Sequence, residues 1–212
     1  MNFNYRIVRS KRKTMSVSVS AENVVTVRCP LLKSDKDVEA FVKSKSGWIS
    51  KILAKNNANR AGNEGVLNYS EVFIGGKKYP VVYCDKNKIE GGTVYVKNVA
   101  SIKKTLVKYL AEDLINFAEQ ISAQIKLQAT GFSIKSYKSR WGCCDKKGSI
   151  TLSCYLIMLP LRVQRYVIIH ELCHTVHFDH SKKFWELVAK FEPEYKLCRK
   201  NLRSYDYLIK IY

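Results

Sequence analysis

All four histidines of this chain fall within eleven residues, at His170, His174, His177 and His180. They follow the apolar run Tyr166-Val167-Ile168-Ile169, so the segment reads as a buried helix carrying titratable side chains inward. Buried imidazole and carboxylate groups need partners, because leaving them unpaired is costly. The run His170-Glu171-Leu172-Cys173-His174 has the spacing H-E-x-x-H. Helical residues four apart share a face and lie about 6 Å apart along the axis. The two imidazoles can therefore converge on one zinc ion at about 2.0–2.1 Å each. Glu171 then points beside the ion, placed to take a proton from a water that the metal activates.

A catalytic zinc takes three protein ligands and keeps a fourth position open. His177 would lie about 10.5 Å up the axis from His170 if the helix continued, too far for an ion held by His170 and His174. His180 reaches that ion if the helix ends after His174 and the chain turns back. The spacing H-E-x-x-H-x5-H is that of the metzincin motif, in which glycine makes this turn. Here His177 stands at the glycine position, and histidine is among the residues enriched at positive φ. Asp179 helps break the helix. The expectation is metal at His170, His174 and His180, with Glu171 as catalytic carboxylate and His177 as a turn or supporting residue. Metzincins also carry a methionine turn downstream. Met1, Met15 and Met158 all lie upstream, which excludes that group. Imidazole suits several transition metals, so another divalent ion is an alternative to Zn2+. The bland alternative is a helix whose histidines only pack against polar partners.

The other bounds come from composition. With 46% hydrophobic residues the chain can bury a sizeable core, which rules out wholesale disorder. No stretch approaches the ~18 consecutive apolar residues of a membrane span. The start, MNFNYRIVRSKRK, lacks the apolar region of a secretory signal. No membrane association and a cytoplasmic location are expected. Seven cysteines form no C-x-x-C pair, and Cys143 and Cys144 are adjacent, so free thiols are expected and a zinc ribbon is excluded. Lys and Arg number 37 against 18 Asp and Glu, a net charge of +19 densest over the first sixty residues. Such an excess attracts nucleic acid non-specifically or steers an anionic substrate, or it simply keeps the surface soluble.

Along the chain, short strands are expected at 5–8, 15–19 and 24–27, then a helix capped by Ser34 with Asp37. The polar stretch from Asn56 to Gly65 reads as a linker or loop. Strands follow at 71–74, 79–83 and 93–96, with a turn at Gly75-Gly76. A long amphipathic helix spans 101–129. Strands at 132–137 and 149–153 flank a turn at Arg140-Trp141-Gly142, and helical patterns return at 162–178, 182–191 and after Pro193. The fold class is α+β, divided into a β-rich portion with one helix at 1–97 and a catalytic portion at 98–212.

Several stretches resemble the YgjP-like, or WLM-type, zinc metallopeptidase-related family among the zincins. They are Lys138-Ser139-Arg140-Trp141-Gly142-Cys143-Cys144, Ser149 to Leu152, the helix Tyr166 to His174, and His180-Ser181-Lys182-Lys183-Phe184-Trp185. Arg9 to Thr14, Val25 to Arg28, Phe41-Val42, Trp48-Ile49 and Gly75-Gly76 before Tyr79 resemble it too, in similar order over most of the chain. The resemblance implies a zincin-like catalytic domain with zinc at His170, His174 and His180 and Glu171 as catalytic carboxylate. Cys143 departs from the family, which usually has serine there.

The leading expectation is a zinc-dependent hydrolase, most readily a metallopeptidase. One alternative is hydrolysis of a phosphoanhydride such as a nucleoside triphosphate at the same metal. Another, as in related WLM and SprT-like proteins, is a nucleic-acid-associated protease. Arg140 reads either as a cleft-rim residue that holds a carboxylate or phosphate, or as part of a tight turn anchored by Trp141. Phe184 and Trp185 read as core packing. Cys143, Cys144 and Cys173 read as structural thiols.

Overall fold

The computed structural model describes residues 3–20, 23–137 and 139–212, with residues 59–61 described by backbone alone. Lys138, at the start of the stretch that runs to Cys144, lies outside the described residues. The chain divides into two compact units, residues 1–64 and 65–212.

In the first unit, β1 (Tyr5–Ser10), β2 (Ser16–Val19) and β3 (Val25–Pro30) form a sheet in the order β1-β3-β2. β3 is central, parallel to β1 and antiparallel to β2. Its Val25, Val27 and Cys29 are buried with Val38, Val42 and Ile49 of α1 (Asp35–Ala61). The helix starts with the reciprocal cap expected of Ser34 and Asp37, each backbone N–H donating to the other side chain at 3.1 and 3.4 Å. It runs to Ala61, through residues that the sequence reads as a loop. Tertiary contacts explain the difference. Asn56 donates from Nδ2 to the Ser20 carbonyl at 2.9 Å and to Asn23 Oδ1 at 3.0 Å. Asn57 Oδ1 accepts from Asn23 at 2.6 Å, so the asparagines are tied to the β2–β3 connection. Helix propensity is a weak prior that such contacts override.

The second unit opens with the short α2 (Glu64–Leu67) and the strands β4 (Glu71–Ile74), β5 (Lys77–Tyr83), β6 (Lys88–Glu90) and β7 (Thr93–Val96). They pair in the order β4-β5-β7-β6. Next come α3 (Val99–Ile125), β8 (Gly131–Lys135), β9 (Gly142–Cys144) and β10 (Ser149–Ser153), and a second sheet has the order β8-β10-β9. A 3-10 segment, Cys154–Met158, leads into α4 (Leu161–Cys173). α5 (Lys182–Phe191), α6 (Tyr195–Leu202), a 3-10 turn at Arg203–Tyr205 and α7 (Leu208–Ile211) complete the unit. Among the described residues, no helix is long and apolar enough to cross a membrane.

Residues on both sides of 97/98 belong to the second unit. Val72, Phe73, Val81, Val94 and Val96 of the first sheet share one apolar core with Ile102 and Leu106 of α3 and Ile168 of α4. The switch from two-residue to helical periodicity near residue 98 marks a change of secondary structure, and the core continues across it. α3 is capped by Asn98, whose side chain accepts from the Ser101 N–H at 3.0 Å. Its buried stripe, including Leu114, Ala118 and Ile121, covers α4 and the 3-10 segment.

The β4–β5 turn ties the first sheet to the approach of α4. The Gly75 and Gly76 N–H groups donate to the carbonyls of Ile157 and Met158 at 2.8 and 3.0 Å. Gly76 has φ +82°, and a Cβ there would lie 2.5 Å from Pro160 Cγ and 2.9 Å from Pro160 Cα. Gly76→Ala combines left-handed backbone strain with a clash against backbone. It is expected to destabilise the protein by about 2–4 kcal/mol, measured by denaturant unfolding; a loss within ~0.5 kcal/mol would contradict this packing.

Candidate metal centre

α4 carries His170 and Glu171 on a helix whose Val167, Ile168, Ile169 and Leu172 are buried. The helix ends at Cys173, as convergence of His180 requires. His174, Thr175 and Val176 donate to the carbonyls of Glu171, Leu172 and Cys173 at 3.1, 3.0 and 3.2 Å, tightening the last turn to i→i−3 bonds. The Thr175 hydroxyl also donates to the Leu172 carbonyl at 2.7 Å. The expected use of positive φ at His177 is corrected. Among the described non-glycine residues, positive φ occurs at Asn23, Tyr69 and Lys126. The chain turns back through this tightened end instead, and Asp179 accepts from the Ser181 N–H at 3.2 Å where α5 begins.

The turn brings His170, His174 and His180 together, with ring nitrogens that all lie within 4.8 Å of one another. Nε2 of His170 and Nε2 of His180 are 3.2 Å apart. Two nitrogens bound to one tetrahedral zinc at ~2.05 Å would be separated by about 3.3 Å, so the spacing suits a shared ion. His174 Nδ1 lies 2.9 Å from the His177 carbonyl oxygen. A proton held there leaves His174 Nε2 as the free lone pair, a common way of orienting a metal-binding imidazole. His177 thus enters through its backbone.

Burial, then the neighbouring His174 and His180, push the His170 pKa down to about 3. Burial also lowers His174. Neutral rings retain the lone pairs that a cation needs. Phe184 is fully buried and stacks on His174 with centroids 4.4 Å apart. It packs edge-on to His170 and His180, each at 4.9 Å. The core role expected of Phe184 is therefore combined with positioning all three rings.

Glu171 is 6% exposed. Burial raises its carboxyl to about 7, with Arg140 pulling the other way. A Cβ on Gly142 would come within 2.8 Å of Glu171 Oε1. Gly142 begins β9, where the sequence reads only a turn. β9 pairs antiparallel with β10 and is one of the two edge strands of its sheet among the described residues. Of the three strands of this sheet, β9 lines the cleft, through Gly142. Gly142→Ala would displace the carboxylate; a shift of about 1 Å can cost ~10²-fold. A fall in kcat of about 10- to 100-fold with metal content unchanged is expected, and retained kcat would count against this close approach.

The cleft has a volume of about 520 Å³. Arg140 lies on it, as one of its two sequence readings expected, with its guanidinium 5.6 Å from the Tyr137 ring. Trp141 lines it too and donates from Nε1 to Asp206 at 3.1 Å. Sequence reasoning missed Tyr166, Arg199, Arg203 and Asp206, and it read Trp185 as core alone. Their positions 14–35 residues beyond Glu171, or on its inner helical face, carry no local pattern that links them to the motif.

All seven cysteines are free thiols. Burial, then Glu171, raises Cys144 to about 11, and burial raises Cys173 to about 12. Both stay protonated at neutral pH and are poor ligands in that form. Cys143, standing where serine is usual, hydrogen-bonds through Sγ with the Tyr137 hydroxyl at 3.1 Å.

A histidine trio with an adjacent buried carboxylate, opening on a cleft in an α+β fold, is the arrangement of a metallopeptidase-type hydrolase. The model of the YgjP-like family, metallopeptidase domain, matches residues 13–205, and the chain belongs to that family. No curated protein matches. Among solved structures, the crystal structure of the metallopeptidase zymogen of Pyrococcus abyssi abylysin matches at 25% identity, with a TM-score of 0.39. That match covers 42% of this chain and 90% of the abylysin chain.

Proposed function

We propose that this chain is a zinc-dependent peptidase in which His170, His174 and His180 hold the metal and Glu171 is the general base. The observation that carries this reading is the convergence of three histidine ring nitrogens beside a buried carboxylate on an open cleft. A zinc ion there supplies Lewis-acid activation of water and of the scissile carbonyl. Glu171 takes the proton of the attacking water and passes it to the leaving amine, which lets a poor leaving group depart as a neutral amine. Its burial favours this cycle, because a carboxylate with pKa near neutrality both accepts and returns a proton readily. The edge strand β9 supports a peptide substrate in extended form, since unpaired strand groups can add one more strand beside Glu171.

Phosphoanhydride hydrolysis is a second reading, favoured by the guanidinium groups of Arg140, Arg199 and Arg203 on the same cleft. Turnover of the zinc-loaded protein on casein and on a nucleoside triphosphate panel, each with and without chelator, tests both. Chelator-sensitive cleavage of casein and not of nucleotides is expected. The reverse pattern would replace the peptidase reading with the second one.

A further inference from the structure

The second unit contains five arginines, and their pairing divides them by location. Arg162 pairs with Glu194, and Arg165 Nε lies 3.6 Å from Glu192. Both of these lie outside the cleft lining. The other three, Arg140, Arg199 and Arg203, all line the cleft, and none forms an ion pair among the described residues. Neither of the cleft's two acids forms an ion pair with them among the described residues. Glu171 sits within the catalytic arrangement, and Asp206 accepts from Trp141.

Arg199 is the best placed. Its guanidinium carbon lies 4.9 Å from the centre of the Trp185 ring, which is itself stacked on Tyr195 at 5.3 Å. A guanidinium laid on an aromatic ring keeps its N–H edge free while the ring fixes its plane, a geometry suited to bidentate binding of a carboxylate. The Trp185 ring lies 5.6 Å from the His180 ring and 5.7 Å from the His170 ring. Arg199 is thus about three extended residues from the metal nitrogens, at roughly 3.3–3.6 Å per residue. Arg203, one helical turn further on, donates its backbone N–H to the Arg199 carbonyl and also lines the cleft.

Resting on the peptidase reading, we infer that Arg199, with Arg203, forms a specificity site for a peptide carboxylate within about three residues of the scissile bond. The same chemistry is offered by an Asp or Glu side chain and by the α-carboxylate of a short peptide. In either case the carboxylate docks on the Arg199 fork while the scissile carbonyl lies at the histidine trio. Such a site acts mainly on KM, because its contacts form in the ground state as well as the transition state.

The test maps cleavage in a peptide library and then compares matched pairs around one cleaved bond. One arm exchanges Glu for Gln up to three residues from that bond, and the other exchanges a free C-terminus for its amide. The zinc-loaded wild type should favour the carboxylate member of at least one pair by about 10- to 100-fold in kcat/KM, chiefly through KM. The favoured pair identifies the source of the carboxylate. Arg199→Gln should erase that preference by lowering kcat/KM for the carboxylate member far more than for the neutral one, and Arg199→Lys should restore part of it. Arg203→Gln, which disturbs no ring contact, should reduce the preference should Arg199→Gln fail to fold. Wild-type cleavage without preference would overturn the inference and leave the peptidase reading standing. So would an equal loss on both members in Arg199→Gln. No peptide cleavage alongside nucleotide turnover would overturn both.

Discussion

Replacing Glu171 with glutamine is expected to lower peptide turnover by about 10²–10⁴-fold, the usual contribution of a general base, with metal content unchanged. Glutamine keeps the length and hydrogen-bonding outline of the side chain, so the tight approach of Gly142 should survive. What is lost is the ability to accept the water proton and return it to the leaving amine. His170→Ala should instead lose metal and activity together, since it removes one of three imidazoles and opens the buried face against Phe184. Metal analysis beside turnover separates the two cases. Full activity in Glu171→Gln would end the general-base assignment, and loss of metal in that variant would make Glu171 a ligand.

The second large effect concerns the two histidines beyond the motif. His180→Ala should weaken zinc binding by more than the roughly 10–100-fold typical of losing a residue that only orients a ligand. His177→Ala should change it by no more than a few-fold, because the His174 ring is held by the His177 carbonyl, which alanine also possesses. Titration with a competing chelator reads both. Equal losses would contradict the roles assigned to the two residues. Metal also links to stability. With free zinc at ~1,000 times its dissociation constant, binding adds about 4 kcal/mol, so chelation should lower Tm by roughly 8–16 °C. His180→Ala should show little further fall on chelation.

The candidate site was legible because its donors are local. His170, Glu171 and His174 lie within five residues on one helix, where spacing alone fixes relative direction. The convergence of His180 on the other two rings was legible by exclusion, since a continuing helix would carry His177 away from them. The means of turning was not legible. Positive φ at His177 was a conformational preference, whereas the observed turn is a tightened helix end closed by backbone hydrogen bonds and the Thr175 hydroxyl. Likewise, the capping of α1 by Ser34 and Asp37 is written locally, while its extension through Asn56 and Asn57 depends on Ser20 and Asn23, more than thirty residues away.

Local pattern thus carries the α+β class, the positions of most strands and helices, and the spacing that sets two histidines and a carboxylate on one helix. Each of these rests on periodicity, capping or spacing within a few turns of chain. The tertiary structure decided where the units divide, because a shared core is a property of distant contacts: Val72 and Val94 are buried with Ile102 and Ile168. It also decided that Gly142 opens an edge strand against Glu171, and that Trp185, Arg199 and Arg203 share the cleft with Arg140. The wall opposite a helix is set by which elements pack there, and that choice is made by apolar burial summed over the whole unit, which no local pattern records.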